Sequence, residues 1–389
     1  MAQRVGIVGV TQTNYESAKD NVDNSELAFE VVESLLQDTG VKYVDQTDNG
    51  FGIDRILNTT EDLWVGQTGA TIWMHKHLGG WLLSQTNVCA DGAQAVYHAV
   101  LDVLSGRYQC VLVVPVCKES DALKAEVIET ATFDPLFLRP LGLDYVSAAA
   151  LQARRYMYKY GISREQCAKV VVRNRRNAMN NPFAQEPLEL TIEDVLNSKT
   201  LASPMKVLDC RPQVSDGACA LIVTDEEHAK MLTDKPVWIT GIGNCYDSHG
   251  LGDRDLADCD SLQLAAKRAY SMAGVADPLK EIDVAEISTE YSYQEMLWLE
   301  GLGFCDRGEG GTLIDNGVID MDGPLPVNPS GGILAGNPMQ VAGGTRTAEA
   351  VLQLRGEAGA RQVKDAKTAL VHGTYGPCGQ THCVLILST

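Results

Sequence analysis

The segment TNVCADGAQAV, Thr86 to Val96, sets a cysteine where a helix begins. Ala93, Val96, Val100 and Val103 recur at helical spacing and the run ends near Gly106, so Cys89 is expected at or next to a helix N-terminus. Unpaired N–H groups and the helix dipole favour an anion there, which would lower the thiol pKa and expose a thiolate nucleophile. The small neighbours Ala90, Gly92 and Ala93 would let a bulky acyl group approach. On this segment alone, an inert core cysteine at a strand-to-helix turn fits equally well.

Two further segments carry possible chemistry. LPVNPSGGILAGNP, Leu325 to Pro338, is a glycine-rich turn with Pro338 at the expected first position of a helix running to Leu354. A second helix N-terminus aimed at the Cys89 region could help hold a thiolate and an oxyanion, although glycine-rich turns are common without such a role. Near the C-terminus a strand ends at His372, a glycine loop carries Cys378, and a last strand begins near Cys383. His372 and Cys378 could form an acid/base pair, or be a structural histidine and an inert cysteine.

These groups must be positioned by an alternation of short β-branched runs and longer helical periods, the pattern of an α/β protein. The pattern repeats. VGIVGV from Val5 recurs as VWITGI from Val237, and a helix from Leu27 closed by Gly40 recurs from Leu262 closed by Gly274. In each copy a strand is expected next, at residues 49–54 and 282–287. The repeat implies two similar halves, residues 1–230 and 231–389, with the break near Thr224 to Pro236. A stretch of about 118–206 is inserted in the first half, and inserted segments on one face of a sheet usually serve ligand binding.

Composition narrows the function. With 389 residues, 45% of them hydrophobic, the chain can bury a full core. Its formal charge of −19 disfavours nucleic acid and anionic membrane as partners. The N-terminal apolar run is too short for a signal segment, and no stretch approaches the ~20 apolar residues of a membrane span, so a cytoplasmic protein is expected. The 11 cysteines form no C-x-x-C pair, which disfavours a disulfide framework or a zinc site on this chain. Between Arg154 and Arg176 the charge reverses to a basic run, which is either a solvated face or a patch for an anionic ligand.

NVCADGAQAV around Cys89, SREQCAKVVVRN from Ser163, VLDCRPQVSDGACALIV from Val207, GLGFCDRGEGG from Gly301 and LPVNPSGGILAGNP from Leu325 together resemble the thiolase superfamily, in its sterol-carrier-protein type. The likeness spans nearly the whole chain. It implies an α/β thiolase fold, a five-layer αβαβα sandwich of two pseudo-symmetric halves, with the inserted segment as a loop domain for coenzyme A and a homodimeric core. It also implies an acyltransferase that joins or cleaves a carbon–carbon bond of a 3-oxoacyl-CoA through a Cys89 acyl-enzyme. Arg173 and Arg176, with Ser330 and Gly331, are the expected coenzyme A contacts. Physically, such cleavage needs a soft nucleophile, an oxyanion hole worth ~3 kcal/mol per donor, and an acid for the leaving enolate. Coenzyme A then takes the acyl group in a ping-pong cycle.

The sequence departs from the family pattern at both usual histidines. The Gly-His-Pro tripeptide reads Gly336-Asn337-Pro338, and His-Asp-x-Phe reads Ser288-Thr289-Glu290-Tyr291. Asn337 can donate a hydrogen bond but cannot carry a proton. Acid/base function would then fall to His372 or Cys378, or to Glu290 if a partly apolar site raises its pKa. Alternatively the fold supports a retro-aldol cleavage with Tyr246, Tyr291 or Tyr293 as acid/base groups, or a noncatalytic acyl-CoA-binding scaffold. Members with such departures resemble hetero-oligomer subunits whose small partner has a zinc ribbon and an oligonucleotide-fold domain, the zinc lying on the partner. GLGFCDRGEGG and STEYSYQEM resemble most the benzoylsuccinyl-CoA thiolases of anaerobic toluene degradation, which implies conversion of 2-benzoylsuccinyl-CoA to benzoyl-CoA and succinyl-CoA.

Overall fold

A computed structural model of the chain describes residues 4–48, 50–122 and 124–389. The first half runs β1 (Val5–Gln12), α1 (Asn24–Thr39), β2 (Arg55–Thr59), β3 (Ser84–Asn87), α2 (Gly92–Leu104) and β4 (Cys110–Lys118). Then come the inserted helices α3 (Tyr145–Tyr160) and α4 (Arg164–Ala178), followed by β5 (Asp216–Asp225). The second half has β6 (Val237–Tyr246), α5 (Asp260–Ala273), β7 (Val284–Ile287), α6 (Ser292–Gly301), α7 (Met339–Arg355), β8 (Thr368–Tyr375) and β9 (Thr381–Ser388).

The strands lie in the order β3-β2-β4-β5-β1-β6-β9-β8-β7. From the β1/β6 seam outward the halves repeat each other: β5 and β9 pair antiparallel to the seam strands, β4 and β8 antiparallel to those, and β2 and β7 parallel to β4 and β8. β3 then adds parallel to β2, matched across the pseudo-dyad by a single parallel bridge from Ala285 to Val327. Gly40 and Gly274 close α1 and α5 in the left-handed region, at φ 68° and 76°.

Alternation along the strands builds the layers, because successive side chains face opposite sides. On β4, Val111, Val113 and Cys117 join a middle core with α2 and α7, whereas Cys110, Leu112, Val114 and Val116 face an outer core with α1. On β9, Cys383, Leu385 and Leu387 share that middle core, while Val384 and Ile386 face α5 and the inserted helices. Helix, sheet, paired central helices, sheet and helix give the five layers. The central pair crosses at backbone contact: a Cβ on Gly92 would lie 2.4 Å from the Gly344 nitrogen, and one on Gly343 2.4 Å from the Ala93 nitrogen.

One expected strand is displaced. Ile53 exchanges backbone hydrogen bonds with Lys42 and Val44 instead of entering the sheet, and β2 begins only at Arg55. Gly52 permits this close approach, since its Cβ would sit 2.5 Å from the Lys42 carbonyl oxygen; Asn49 lies outside the described residues. Among the described residues, no helix is long and apolar enough to cross a membrane.

Candidate active site

Cys89 sits on the turn between β3 and α2 and is exposed. The turn is fixed by Asn87, whose Oδ1 accepts the Thr60 N–H (3.0 Å) and whose Nδ2 donates to the Thr60 carbonyl (2.8 Å) and the Cys89 sulfur (3.4 Å). The helix start is not an open anion cradle. Asp91 is the N-cap, and its Oδ1 accepts Ala93 N–H at 3.1 Å and Gln94 N–H at 3.3 Å, so the chain's own carboxyl takes these donors. The expected lowering of the Cys89 pKa is therefore corrected: partial burial, then the Glu61 and Asp62 carboxylates, raise it. Asp91 is itself fully buried and pushed up to about 7, chiefly by burial, with Glu290 adding to the rise.

The second helix start is similar. Pro338 is the N-cap of α7, one place before its expected position, and Glu119 lies against the Met339 N–H while Arg211 grips both its carboxylate oxygens at 3.1 Å. Asn337 is buried, and its Oδ1 accepts from Arg346 Nη2 at 2.9 Å, which leaves its amide N–H as the donor to the site. Arg346 also pairs with Glu286 (3.1 Å), whose two oxygens accept from the backbone N–H and hydroxyl of Ser330. The end of β2 reaches the first turn of α7: Thr59, beside the Asn87 bridge, donates to the Gln340 carbonyl at 2.8 Å.

Of the expected proton carriers, Glu290 has the fitting environment. Its carboxyl is buried, has no side-chain hydrogen-bond partner among the described residues, and is raised to about 7 by burial, against Arg211 and with help from Glu129 and Glu119. It lies close enough to perturb Cys378, Tyr145 and Asp91. Cys378 occupies a left-handed turn (φ 57°) among Phe133, Tyr145 and Met339, and burial pushes its thiol up to about 12. His372 is displaced from this role. Its Nε2 lies 3.0 Å from His382 Nδ1, both rings pack on Trp298, and burial lowers His372 to about 3, so it is neutral throughout the physiological range. A cavity of about 190 Å³, lined by Glu129, Cys210, Arg211 and Tyr291 among others, adjoins the Glu290 loop.

The basic run is largely spent within the fold. Arg173 is buried and paired with Glu295, whose other oxygen accepts from Asn174 and Asn328; Arg175 pairs with Glu186, Lys169 with Asp315 and Arg164 with Asp209. Arg173 thus braces the NPSGG loop instead of facing a ligand phosphate. Ser330 and Gly331 are likewise committed to Glu286 and to close packing on Ala178. Arg176 alone of the expected contacts is exposed, with no ion pair among the described residues. Truncating Arg173 to alanine is expected to destabilise the chain by about 3–5 kcal/mol, because Glu295 would be left buried and unpaired. Chemical denaturation would measure this, and an unchanged midpoint would contradict it.

Three contributors were not anticipated from sequence: Asp91, Glu61 and Tyr375. Tyr375 Oη donates to Glu61 Oε1 at 2.5 Å, and burial raises the Glu61 pKa while that hydrogen bond opposes the rise. The signal available for Glu61 was its place just past the carboxyl end of a parallel strand, where α/β sites gather.

Comparison with known proteins follows this geometry. Residues 5–188 match the family profile "Thiolase, N-terminal domain" and residues 244–389 match "Thiolase C-terminal domain-like". The chain is 35% identical over 389 residues to an acetyl-CoA acetyltransferase of Methanothermobacter thermautotrophicus, covering 99% of each. It is 28% identical over 382 residues to benzoylsuccinyl-CoA thiolase subunit BbsB of Thauera aromatica, covering 97% of this chain and 96% of that one. Among solved structures it is similar to an Ltp2-ChsH2(DUF35) aldolase, with TM-score 0.82, 27% identity, and coverage of 99% of this chain and 98% of that one.

Proposed function

The chain belongs to the thiolase superfamily, an acyltransferase family that uses coenzyme A as substrate, and on that premise we propose that it cleaves a 3-oxoacyl-CoA through a Cys89 acyl-enzyme with Glu290 as the proton carrier on the substrate side. What supports this reading is an exposed thiol just before α2 together with a buried carboxyl that has no side-chain hydrogen bond among the described residues and is raised to about 7. The Cys89 thiolate attacks the ketone carbon, the carbon–carbon bond breaks, and protonated Glu290 gives its proton to the leaving enolate. Ionised Glu290 then accepts the coenzyme A thiol proton as that sulfur takes the acyl group.

Asn337 is the oxyanion donor in this scheme, oriented by Arg346. Asn337→Ala is expected to lower kcat roughly 10²-fold; steady-state rates equal to the parent's would remove it from the site. Arg176 is the remaining candidate for the coenzyme A phosphates, and Arg176→Glu should raise the coenzyme A KM with kcat little changed.

The substrate we propose is 2-benzoylsuccinyl-CoA, giving benzoyl-CoA and succinyl-CoA, a reading supported by the benzoylsuccinyl-CoA thiolase relative. The same relative, a subunit, and the two-component aldolase support a hetero-oligomer, and the partner we propose is a small protein with a zinc ribbon. Eleven unpaired cysteines fit a cytoplasmic enzyme. We divide the chain at about residue 230, with residues 118–206 as the loop domain. The aldolase likeness also favours a second reading, retro-aldol cleavage, for which Tyr246, 60% exposed, and Tyr291, which lines the cavity beside the Glu290 loop, are the candidate phenols, while the Tyr293 hydroxyl is committed to Gln152. Intact-mass analysis after exposure to acyl-CoA separates the two: an acyl adduct on Cys89 supports the thiolase, and aldol products without an adduct support the alternative.

A further inference from the structure

Partial burial and the Glu61 and Asp62 carboxylates all oppose ionisation of Cys89, yet the sulfur must attack as a thiolate. Among the described residues, one side chain donates a hydrogen bond to that sulfur: Asn87, whose Nδ2 stands 3.4 Å away. An amide can be turned about, so the direction of this bond depends on what holds Asn87. The Thr60 backbone settles it. Its N–H can only donate, and meets Asn87 Oδ1; its carbonyl can only accept, and meets Asn87 Nδ2. One N–H of Nδ2 is taken by that carbonyl, and the other faces the sulfur.

The orientation is reinforced from behind. Asn87 Oδ1 also accepts from Asn58 Nδ2 at 2.9 Å, and the two residues are direct partners in the parallel pairing of β2 with β3. Asn58 is fully buried, and its Oδ1 accepts in turn from Gln85 Nε2 at 2.9 Å. Gln85 lies two residues before Asn87, on the same face of β3, and its Oε1 meets His75 Nδ1 at the end of the short helix Ala70–His75. Each amide accepts at one end and donates at the other, so the row has a single polarity, from the ring N–H of His75 to the Cys89 sulfur. Reversing Asn87 would set its oxygen against the Thr60 carbonyl and its NH₂ against the Thr60 N–H and the Asn58 NH₂.

We propose that Asn87 is a catalytic residue that stabilises the Cys89 thiolate by donating a hydrogen bond to it, with Asn58, Gln85 and His75 as positioning residues that hold the amide in its donor orientation. This rests on Cys89 being the nucleophile. A hydrogen bond to the charged sulfur is stronger than one to the neutral thiol, so the donor favours the anion that the nearby carboxylates oppose. Asn87 makes and breaks no covalent bond and keeps both its hydrogens; at the exposed sulfur the thiol proton passes to water. The donor acts twice in a cycle, on the attacking sulfur and on the same sulfur when coenzyme A displaces the acyl group from it.

The test measures alkylation of Cys89 by iodoacetamide against pH in the full-length enzyme, resolved by peptide mass because Cys245 and Cys305 are also partly accessible. Acylation of Cys89 by acetyl-CoA, acetoacetyl-CoA, benzoyl-CoA and succinyl-CoA is followed alongside. Asn87→Ala should move the alkylation profile to higher pH and slow alkylation at pH 7 about 3- to 10-fold; the thiolate fraction falls about 10- to 100-fold, and the more basic sulfur recovers part of the loss in nucleophilicity. Acylation should slow in the same direction. Asn87→Asp keeps the size and an acceptor for the Thr60 N–H but sets a carboxylate against the sulfur, so it should alkylate more slowly than Asn87→Ala. A residue that merely shaped the turn would give the opposite order, because aspartate retains half of the Thr60 clasp. Asn58→Ala should shift the profile the same way by less, and it carries the test should Asn87→Ala not fold. An unmoved profile in either alanine variant, or faster alkylation of Asn87→Asp than of Asn87→Ala, would overturn the assignment while leaving Cys89 as nucleophile. If the unmodified enzyme is acylated by none of the four thioesters, the nucleophile reading itself falls, and the catalytic role of Asn87 with it.

Discussion

Cys89→Ser should reduce turnover to background, a loss on the order of 10⁶-fold by comparison with removal of other acyl-transfer nucleophiles. Serine keeps the size and the turn, but its hydroxyl is far less acidic than a thiol, and a site whose carboxylates already oppose ionisation of Cys89 cannot make an alkoxide. Coenzyme A affinity should be nearly unchanged, since Cys89 precedes the N-cap of α2 and carries none of the packing between the central helices. Turnover measured with any accepted 3-oxoacyl-CoA, alongside calorimetric binding of coenzyme A, gives both quantities. A serine enzyme that retained substantial turnover would show that the acyl group never passes through this position.

Glu290→Gln is expected to cost about 10²–10⁴-fold in kcat and to remove one limb of the pH profile. In the cleavage half-reaction Glu290 must be protonated, so the single-turnover rate should fall as pH rises through about 7, and the glutamine variant should lack that fall. The stability sign is opposite to that of an ordinary salt-bridged carboxylate. The folded pKa of about 7 stands above the usual 4.5, so the native state binds the proton more tightly than the unfolded chain does. Stability therefore declines as pH rises from about 4.5 to about 7 and is level above that. Glutamine escapes this penalty, and the variant should be at least as stable as the parent at pH 8. Loss of activity together with loss of stability would instead mark Glu290 as structural.

The proton carriers of the proposed site are carboxyls. Glu290 and Asp91 are both raised to about 7, with burial the largest cause for each, and Glu61 is raised as well. Each is raised by surroundings contributed from several elements. Arg211, gripped by Glu119, keeps the cluster from accumulating too much negative charge and moderates Glu290 directly. This arrangement offers proton carriers near neutrality without a histidine.

Local spacing and composition determined a good deal about this protein. The helical period after Cys89, the glycine stops at Gly40 and Gly274, and the recurrence of strand and helix in both halves are short-range facts, and they suffice for an α/β duplication with a cysteine beside a helix start. Tertiary structure decided the charge states and the partners. A capping rule accounts for Asp91 on the α2 donors, but no spacing rule shows that Arg173 would turn inward to Glu295, or that His372 would be shut against Trp298 and His382. Pairing across 314 residues brings Tyr375 to Glu61. Acidity depends on what surrounds a group in three dimensions, on burial and on charges brought from distant strands, and sequence neighbours carry little of that information.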